Sequence, residues 1–287
     1  MNFGGYMTTI AEYVKKRDFL VCVDSDGCAM DTMNIKHFRS FGPCMVDEWS
    51  LGEWRDEILE RWNVINLFSM TRGVNRFKGL AMILSEINGK YCVIEGLEKL
   101  AQWAETSPEL SNSALEAAIA HGDDNVALKK ALLWSISVNN SIKSLPEEEI
   151  KPFPLAQDAL EFAHARADVA IVSSANLGAV LEEWEKHSLL HHTDIVMAQN
   201  SGSKAACIAA LLEKGYAPSN VVMCGDAPGD LAAAEKNGVL YYPILVGREE
   251  ESWREFMDVA LDKLISGSYA GEYQAQKREE FLNNLNK

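Results

Sequence analysis

Two aspartates directly follow a short apolar stretch near the start of the chain. The stretch runs from Phe19 to Val23, and Asp24 and Asp26 come next, in the segment Asp24-Ser25-Asp26-Gly27. A short apolar run that ends in turn-forming residues predicts a buried strand. A carboxylate at the tip of such a strand can attack phosphorus and form an acyl phosphate. The second carboxylate, close to the first, can protonate the leaving oxygen and then activate water.

Other residues suited to phosphoryl chemistry follow later apolar runs or begin a predicted helix. They are Ser173 after Val169–Val172, Lys204 at a helix start, and Asp226 with Asp230 after Val221–Cys224. Because the carboxyl ends of parallel strands meet at one edge of a sheet, we expect these side chains to lie close to Asp24 and Asp26. Asp230, one helical turn after Asp226, is predicted to orient Lys204 or a metal-bound water.

Each of these residue types has a role in phosphoryl transfer. Ser173 and Lys204 can hold the phosphoryl oxygens and offset negative charge. Clustered carboxylates at strand ends suit a hard octahedral cation that keeps some of its waters. We therefore predict a Mg²⁺ site formed by Asp24, Asp26 and Asp226.

In order and spacing, these segments resemble the four motifs of the haloacid dehalogenase superfamily. The segment Asp24-Ser25-Asp26-Gly27-Cys28-Ala29-Met30-Asp31 is similar to the first motif, D-x-D-G-T-x-x-D, with Cys28 in place of the usual threonine. Ser173 and Lys204 resemble the second and third motifs, and Gly225-Asp226-Ala227-Pro228-Gly229-Asp230 resembles the fourth, G-D-x-x-x-D. A thiol is a weaker hydrogen-bond partner than a hydroxyl, so with Cys28 in place of threonine the sequence does not predict the geometry of this loop.

The resemblance implies a capped, phosphatase-like member of the superfamily, with a helical cap inserted after the first motif. Such a member would be a Mg²⁺-dependent phosphoric monoester hydrolase that acts on a small phosphorylated metabolite through an aspartyl-phosphate on Asp24. Relatives that cleave carbon–halogen or phosphonate bonds generally lack an aspartate at the position of Asp26, so phosphate esters are favoured. Three alternatives stay open: a sugar phosphomutase of the same fold, a non-catalytic protein that binds a phosphorylated ligand, and an interaction protein that uses its cap as the binding surface.

The predicted strands alternate with helical stretches of about ten residues. This pattern predicts an α/β fold with a Rossmann-like, doubly wound parallel sheet as its core. Residues 35–145 instead have leucine and tryptophan at helical spacing, which predicts an inserted all-helical cap domain. The predicted domains are an α/β catalytic core of residues 1–33 and 152–250, a cap of residues 34–151, and a C-terminal helical tail of residues 251–287 packed on the core.

Three residues of the predicted cap are candidates for substrate binding. Arg72 and Arg76 lie in a cationic, turn-forming stretch of an otherwise acidic domain, and His37 follows the first motif closely. The same residues fit a second interpretation, in which the arginines pair with glutamates of the cap and His37 is a surface or hinge residue.

The composition of the 287-residue chain restricts its partners and location. The formal charge is −15 and the pI is about 4.9, which disfavours nucleic-acid binding because such a field repels a phosphate backbone. No run of about 18 apolar residues predicts a membrane span, and the N-terminus lacks a secretory signal pattern. The six cysteines are scattered without a C-x-x-C pair, which favours a cytoplasmic protein with reduced thiols.

Overall fold

The computed structural model describes residues 9–122 and 125–286. Residues 1–8 of the predicted core, 123–124 of the predicted cap and 287 of the predicted tail lie outside the described residues. The chain divides into two compact units, one of Met1–Met33 with Glu147–Lys287 and one of Asn34–Pro146. We call them the α/β unit and the helical unit.

Among the described residues, the α/β unit forms one sheet of five parallel strands. The strands are β1 (Leu20–Val23), β2 (Asp168–Val172), β3 (Ile195–Met197), β4 (Val221–Gly225) and β5 (Leu240–Pro243). Their order across the sheet is β3-β2-β1-β4-β5, so β1 is central, with β2 on one side and β4 on the other. The chain order reverses between β1 and β4, and doubly wound folds bind ligands at this kind of switch point.

Both faces of the sheet are covered, because successive side chains of a strand point to opposite sides. On β1, Val21 and Val23 belong to the apolar cluster on one face, and Leu20 and Cys22 belong to the cluster on the other. All four side chains are fully buried. Burial on both faces explains why the strands appear in the sequence as continuous apolar runs.

The helices are numbered along the chain. They are α1 (Met33–Lys36), α2 (Gly42–Glu48), α3 (Arg55–Leu67), α4 (Arg76–Ile87), α5 (Leu97–Thr106), α6 (Asn112–Ala120), α7 (Val126–Lys143), α8 (Ala156–His164), α9 (Leu177–Lys186), α10 (Lys204–Leu212), α11 (Pro228–Asn237), α12 (Glu249–Glu255), α13 (Leu261–Ile265) and α14 (Glu272–Leu285). His37–Phe41 and Phe256–Ala260 are π-helical. Short 3₁₀ turns are Gly52–Trp54, Glu147–Glu149, Leu190–His192, Gln199–Ser201 and Pro218–Asn220.

Helices of the α/β unit pack on both faces of its sheet. Helices α8, α9, α12 and α13 contribute to the cluster that contains Val21 and Val23, while α10, α11 and α14 contribute to the opposite cluster. The C-terminal helices α12 to α14 therefore cover both faces, through residues such as Trp253 and Phe281.

The helical unit has an apolar core of its own. Trp62 and Trp134 are fully buried there, and their rings meet edge to face with centroids 6.0 Å apart. Helix α4 begins after Asn75, whose Oδ1 accepts a hydrogen bond from Phe77 N–H (2.9 Å) and satisfies a donor of the first helical turn. A separate core of this kind lets the insertion fold as a compact unit.

The fold class predicted from the sequence is confirmed, since a doubly wound parallel sheet forms the core and helices dominate the insertion. The helical unit ends at Pro146, before the predicted cap boundary at residue 151. The returning chain bonds to the loop after β1, where Asp31 N–H donates to Lys151 O (2.8 Å) and Phe153 N–H to Ala29 O (2.9 Å). The role of the helical unit as a cap stays a prediction. Within the described ranges, no helix has both the length and the apolar character that a membrane crossing needs.

Candidate active site

The loop after β1 carries the two aspartates predicted to be catalytic. Asp24 is buried, its N–H donates to Cys224 O of β4 (3.0 Å), and its Oδ1 accepts a hydrogen bond from Ser25 N–H (2.8 Å). Asp26 is half-buried, and its Oδ1 accepts a hydrogen bond from Thr32 Oγ1 (2.5 Å). Each carboxylate thus accepts a hydrogen bond from a residue that follows it in the chain.

A glycine makes the tight turn of this loop possible. Gly27 has a φ of 83°, in the left-handed region that side chains with a Cβ adopt at a cost. Its N–H donates to Met30 O (2.9 Å), and Met30 N–H donates back to Ser25 O (2.9 Å). The glycine of the first motif therefore closes the loop that follows Asp26.

Ser173 lies just beyond the carboxyl end of β2. It is buried, and its N–H donates to Met197 O of β3 (2.9 Å). Its Oγ accepts a hydrogen bond from Ala175 N–H (3.1 Å), which orients the hydroxyl. The neighbouring Ser174 is exposed. Ser173 is thus the serine that the sheet edge holds in a defined position.

Lys204 is the first residue of α10, at the amino end of the helix. The helix start is capped by Ser203, whose Oγ accepts a hydrogen bond from Ala206 N–H (3.2 Å). Lys204 Nζ lies 2.6 Å from Asp24 Oδ2 and 2.5 Å from Asp230 Oδ1. Its side chain is only 13% exposed. One mostly buried ammonium therefore joins acidic groups that follow two different strands.

Asp226 directly follows β4, and Asp230 lies in the first turn of α11. Both are buried, and Asp230 Oδ2 accepts a hydrogen bond from Ala227 N–H (3.1 Å), a donor at the helix start. One oxygen each of Asp24, Asp226 and Asp230 lies within 4.8 Å of the others. The structure thus brings Asp24, Asp226, Asp230 and Lys204 together at the carboxyl edge of the sheet.

Burial and pairing shift the proton equilibria of these groups. Burial raises the pKa of Asp24 to about 6, although Lys204 opposes the shift. Burial also raises the pKa of Asp230, again against the effect of Lys204. Burial lowers the pKa of Lys204, but Asp230 and Asp24 outweigh it and leave that pKa above its ordinary value. At neutral pH, Lys204 is charged and Asp24 is mostly ionised, the form that can act as a nucleophile.

Comparison with protein families identifies the chain. Residues 95–243, just over half of the sequence, match the family described as haloacid dehalogenase-like hydrolase. The chain belongs to this family. The matched stretch of this haloacid dehalogenase-like hydrolase contains the second, third and fourth motifs, whereas Asp24 and Asp26 lie before it.

This haloacid dehalogenase-like hydrolase is also similar to several solved structures. A haloacid dehalogenase-like hydrolase from Streptococcus pneumoniae is 15% identical with a TM-score of 0.47, and 83% of this chain and 90% of that chain are covered. A protein described as a phosphoglycolate phosphatase from Lactobacillus delbrueckii subsp. bulgaricus is 14% identical with a TM-score of 0.49, covering 79% and 85%. A protein described as a beta-phosphoglucomutase from Thermotoga maritima is 17% identical with a TM-score of 0.49, covering 85% and 99%. No curated protein matches the chain.

The acidic group of this haloacid dehalogenase-like hydrolase fits a divalent metal ion. Asp24, Asp226 and Asp230 supply buried oxygens that lie close together. When ionised, three carboxylates beside the ammonium of Lys204 would leave an excess of negative charge, which is costly to bury unless a cation balances it. Oxygen donors are the ligands that a hard cation such as Mg²⁺ prefers. The Asp26 carboxylate lies outside this group of three, and its role as a ligand stays a prediction.

The two arginines predicted to bind substrate lie in the helical unit. Arg72 is buried, and its Nη1 donates to Leu67 O (2.8 Å). Arg76 Nη1 donates to Ser135 Oγ (3.1 Å) and to Asn139 Oδ1 (2.7 Å). These contacts tie both guanidinium groups to the helices of their own unit. Substrate binding by Arg72 and Arg76 stays a prediction.

His37 lies in the π-helical segment of the same unit. Its Nδ1 accepts a hydrogen bond from Trp62 Nε1–H (3.1 Å), and its ring stacks on Phe41 with centroids 4.6 Å apart. When the imidazole is neutral, this bond leaves the ring proton on Nε2. A contact between His37 and substrate stays a prediction.

Sequence patterns did not mark two tryptophans that contact the loop after β1. Trp184 Nε1–H donates to Ser25 Oγ (2.8 Å), and Trp253 Nε1–H donates to Cys28 O (3.2 Å). The Cys28 thiol, at the usual threonine position, donates to Cys224 O (3.5 Å). Tryptophans at helical spacing are ordinary core residues in a sequence, so no local signal distinguishes these two.

Proposed function

We propose that this chain is a Mg²⁺-dependent phosphatase that acts on a small phosphorylated metabolite through an aspartyl-phosphate on Asp24. The observation that carries the proposal is the Lys204 ammonium between Asp24 and Asp230, beside Asp226. This arrangement fixes a nucleophilic carboxylate and supplies an adjacent positive charge for phosphoryl oxygens. Preorganised charge of this kind is the main requirement of phosphoryl transfer.

In the first step, a carboxylate oxygen of Asp24 attacks phosphorus, and the bond between phosphorus and the ester oxygen breaks. Protonated Asp26 gives its proton to the leaving oxygen, so the leaving group departs as an alcohol. The hydrogen bond from Thr32 to Asp26 Oδ1 orients this acid. Lys204 and Ser173 hold the phosphoryl oxygens during the transfer.

In the second step, water attacks the phosphorus of the aspartyl-phosphate while Asp26 takes a proton from that water. The bond between phosphorus and the Asp24 oxygen breaks, and inorganic phosphate leaves. Asp24 returns as a carboxylate and Asp26 as an acid, so both residues are ready for the next turnover.

The acidic group is proposed to hold the metal ion. Asp24 and Asp226 would hold Mg²⁺, together with Asp26 as the sequence predicts, and Asp230 would orient Lys204. The bound ion supplies positive charge that lowers the cost of bringing an anionic phosphate to buried carboxylates.

We further propose that the helical unit acts as a cap that excludes water and selects the substrate. Caps of enzymes in which a phosphoryl group is transferred commonly gate access to the reacting groups. His37, Arg72 and Arg76 are the proposed substrate contacts of this unit. A cytoplasmic location, as predicted from the cysteines, fits a diffusible metabolite as substrate.

The test is phosphate release from a panel of small phosphate esters, measured with Mg²⁺ and with EDTA. The proposal expects Mg²⁺-dependent release that disappears in Asp24→Asn, because an amide cannot form the aspartyl-phosphate. Asp18→Asn is the matched control, since this aspartate is exposed and its carboxylate pairs with Lys15 (3.2 Å). Its phosphate release should equal that of the wild-type chain.

The two outcomes separate the proposed activity from its alternatives. Release that survives Asp24→Asn would contradict the aspartyl-phosphate mechanism. Conversion of one sugar phosphate isomer into another without net release, also lost in Asp24→Asn, would favour a phosphomutase instead.

A further inference from the structure

Two buried indole groups donate hydrogen bonds to the loop that carries Asp24 and Asp26. Trp184 Nε1–H binds Ser25 Oγ at 2.8 Å, and Trp253 Nε1–H binds Cys28 O at 3.2 Å. Both tryptophans are fully buried. An indole N–H buried away from water needs a partner, so each bond fixes the loop as well as the ring.

The two indoles reach the loop from different helices. Trp184 lies on α9 and Trp253 on α12, and both belong to the apolar cluster under the same face of the sheet. Trp253 packs edge to face against Phe256, with centroids 5.7 Å apart, which limits its movement. Because close-packed side chains move little, these rings are rigid supports for the loop.

Trp253 also lies beyond the stretch that matches the family, residues 95–243. The C-terminal helices therefore supply a contact to the catalytic loop that the matched part of the chain does not contain. The two indole hydrogen bonds go to Ser25 Oγ and Cys28 O and not to the carboxylate of Asp24 or Asp26, so these bonds act on the aspartates through the loop.

We propose that Trp184 and Trp253 are positioning residues, which hold the loop of residues 24–28 so that Asp24 and Asp26 are aligned for phosphoryl transfer. The inference rests on the proposed function of these aspartates. Small displacements of reacting groups slow catalysis strongly, while the proposed phosphate contacts Ser173 and Lys204 are not part of this loop. Loss of either indole N–H should therefore lower kcat more than it changes KM.

The first measurement is hydrogen–deuterium exchange of the backbone amides of residues 24–31 in the full-length chain. Trp184→Phe and Trp253→Phe keep an aromatic ring and remove the N–H donor. Each is expected to speed exchange in this loop about tenfold, as expected when one buried hydrogen bond is lost. Unchanged exchange in both variants would overturn the inference.

Trp134→Phe is the matched control. Trp134 is also fully buried, and its Nε1–H also donates to a backbone carbonyl, Phe41 O (3.1 Å), but in the helical unit. A similar loss of thermal stability with unchanged exchange at residues 24–31 is expected. Faster loop exchange in Trp134→Phe would show a general effect of tryptophan replacement and would overturn the specific role.

A double-mutant cycle tests whether Trp184 acts through Ser25. We expect Trp184→Phe and Ser25→Ala each to lower kcat about tenfold with little change in KM, and the double variant to be no slower than the slower single variant. Independent, multiplying effects on kcat would contradict action through this bond, and so would unchanged kcat in Trp184→Phe.

The two measurements separate this inference from the proposed function. If the wild-type chain releases no phosphate, the proposed function fails, while loop exchange still decides whether the indoles hold the loop. If Asp24→Asn abolishes release but Trp184→Phe and Trp253→Phe keep full kcat, only the positioning role fails.

Discussion

Lys204 and Asp24 form an ion pair inside the protein, with 2.6 Å between Nζ and Oδ2. The pair joins the first residue of α10 to the residue after β1, which are far apart in the sequence. The same ammonium lies 2.5 Å from Asp230 Oδ1. Because buried charges are tolerated only when they are paired, Lys204 offsets part of the negative charge of the site and holds the Asp24 carboxylate in place.

Replacing Lys204 by methionine is expected to abolish phosphate release and to destabilise the protein by about 3 kcal/mol at pH 8. Methionine has a similar shape but no charge, so Asp24 and Asp230 lose their partner. The pKa of Asp24, which burial already raises to about 6, then rises further. A carboxyl group whose pKa is raised in the folded state lowers the free energy of unfolding when it is ionised. The free energy of unfolding lost in Lys204→Met should therefore be smaller at pH 5, where less of Asp24 is ionised. Urea unfolding at both pH values measures this difference.

The double variant Lys204→Met/Asp230→Asn provides the control. It removes one of the two carboxylates that lose their partner, so part of the stability at pH 8 should return while phosphate release stays absent. A double variant less stable than Lys204→Met would show that unpaired charge does not cause the destabilisation of Lys204→Met.

Mg²⁺ is expected to raise the thermal stability of the wild-type chain. A ligand that binds only the folded state stabilises it by about 2.7 kcal/mol at 100 times its Kd. Asp226→Asn should weaken this effect, because it removes a carboxylate of the buried acidic group. Differential scanning calorimetry with Mg²⁺ and with EDTA measures the change, with the exposed Asp18→Asn as control. An equal Mg²⁺ effect in Asp226→Asn and the wild-type chain would exclude Asp226 as a ligand.

The sheet could be predicted because each strand is a local apolar run. The meeting of the acidic groups could be predicted because the carboxyl ends of parallel strands lie at one edge of a sheet. The run Phe19–Val23 predicts a strand, and β1 is Leu20–Val23. The run Val239–Val246 predicts a longer strand than β5, which ends at Pro243. The chain turns away there, since Leu245 N–H donates to Ser252 Oγ (3.0 Å) of α12 and no longer to a strand.

The contacts that support the loop could not be predicted in the same way. Trp184 and Trp253 reach Ser25 and Cys28 from distant parts of the sequence. Their partners depend on how α9 and α12 pack under the sheet, and no periodicity encodes that packing. Long-range hydrogen bonds therefore support a candidate site whose proposed reacting residues are visible as motifs.

Asp194 directly precedes β3 and accepts three hydrogen bonds. These bonds should make the stability of the protein depend on pH. Asp194 is buried, and its oxygens accept bonds from Lys16 Nζ (2.6 Å), Val169 N–H (2.9 Å) and His164 Nε2 (3.3 Å). Burial raises the pKa of Asp194, but these donors outweigh burial and lower that pKa overall. A lowered pKa means that the carboxylate stabilises the folded state above its ordinary pKa and that this stabilisation is lost as the pH falls.

Asp194→Asn should therefore lower the free energy of unfolding by about 2 kcal/mol at pH 7, because a neutral amide replaces an acceptor of charge-assisted hydrogen bonds. The difference from the wild-type chain should shrink as the pH falls below about 4. Urea unfolding at pH 7 and pH 3 measures it. A difference that is the same at both pH values would show that the carboxylate charge contributes nothing.

Gly225 and Gly229 belong to the same motif but should respond in opposite ways to alanine. An added Cβ at Gly225 would overlap the carboxyl carbon and Cβ of Asp230, a buried side chain that Lys204 and Ala227 N–H already hold. Gly225→Ala should therefore displace Asp230, destabilise the protein by about 2 kcal/mol and lower phosphate release at least tenfold. Gly229 has open space around its Cα and is exposed at the start of α11, so Gly229→Ala should keep stability and activity. Equal activity of the two variants would show that close contact between Gly225 and Asp230 does not position the site, and a crystal structure of Gly225→Ala would reveal where the Asp230 carboxylate has moved.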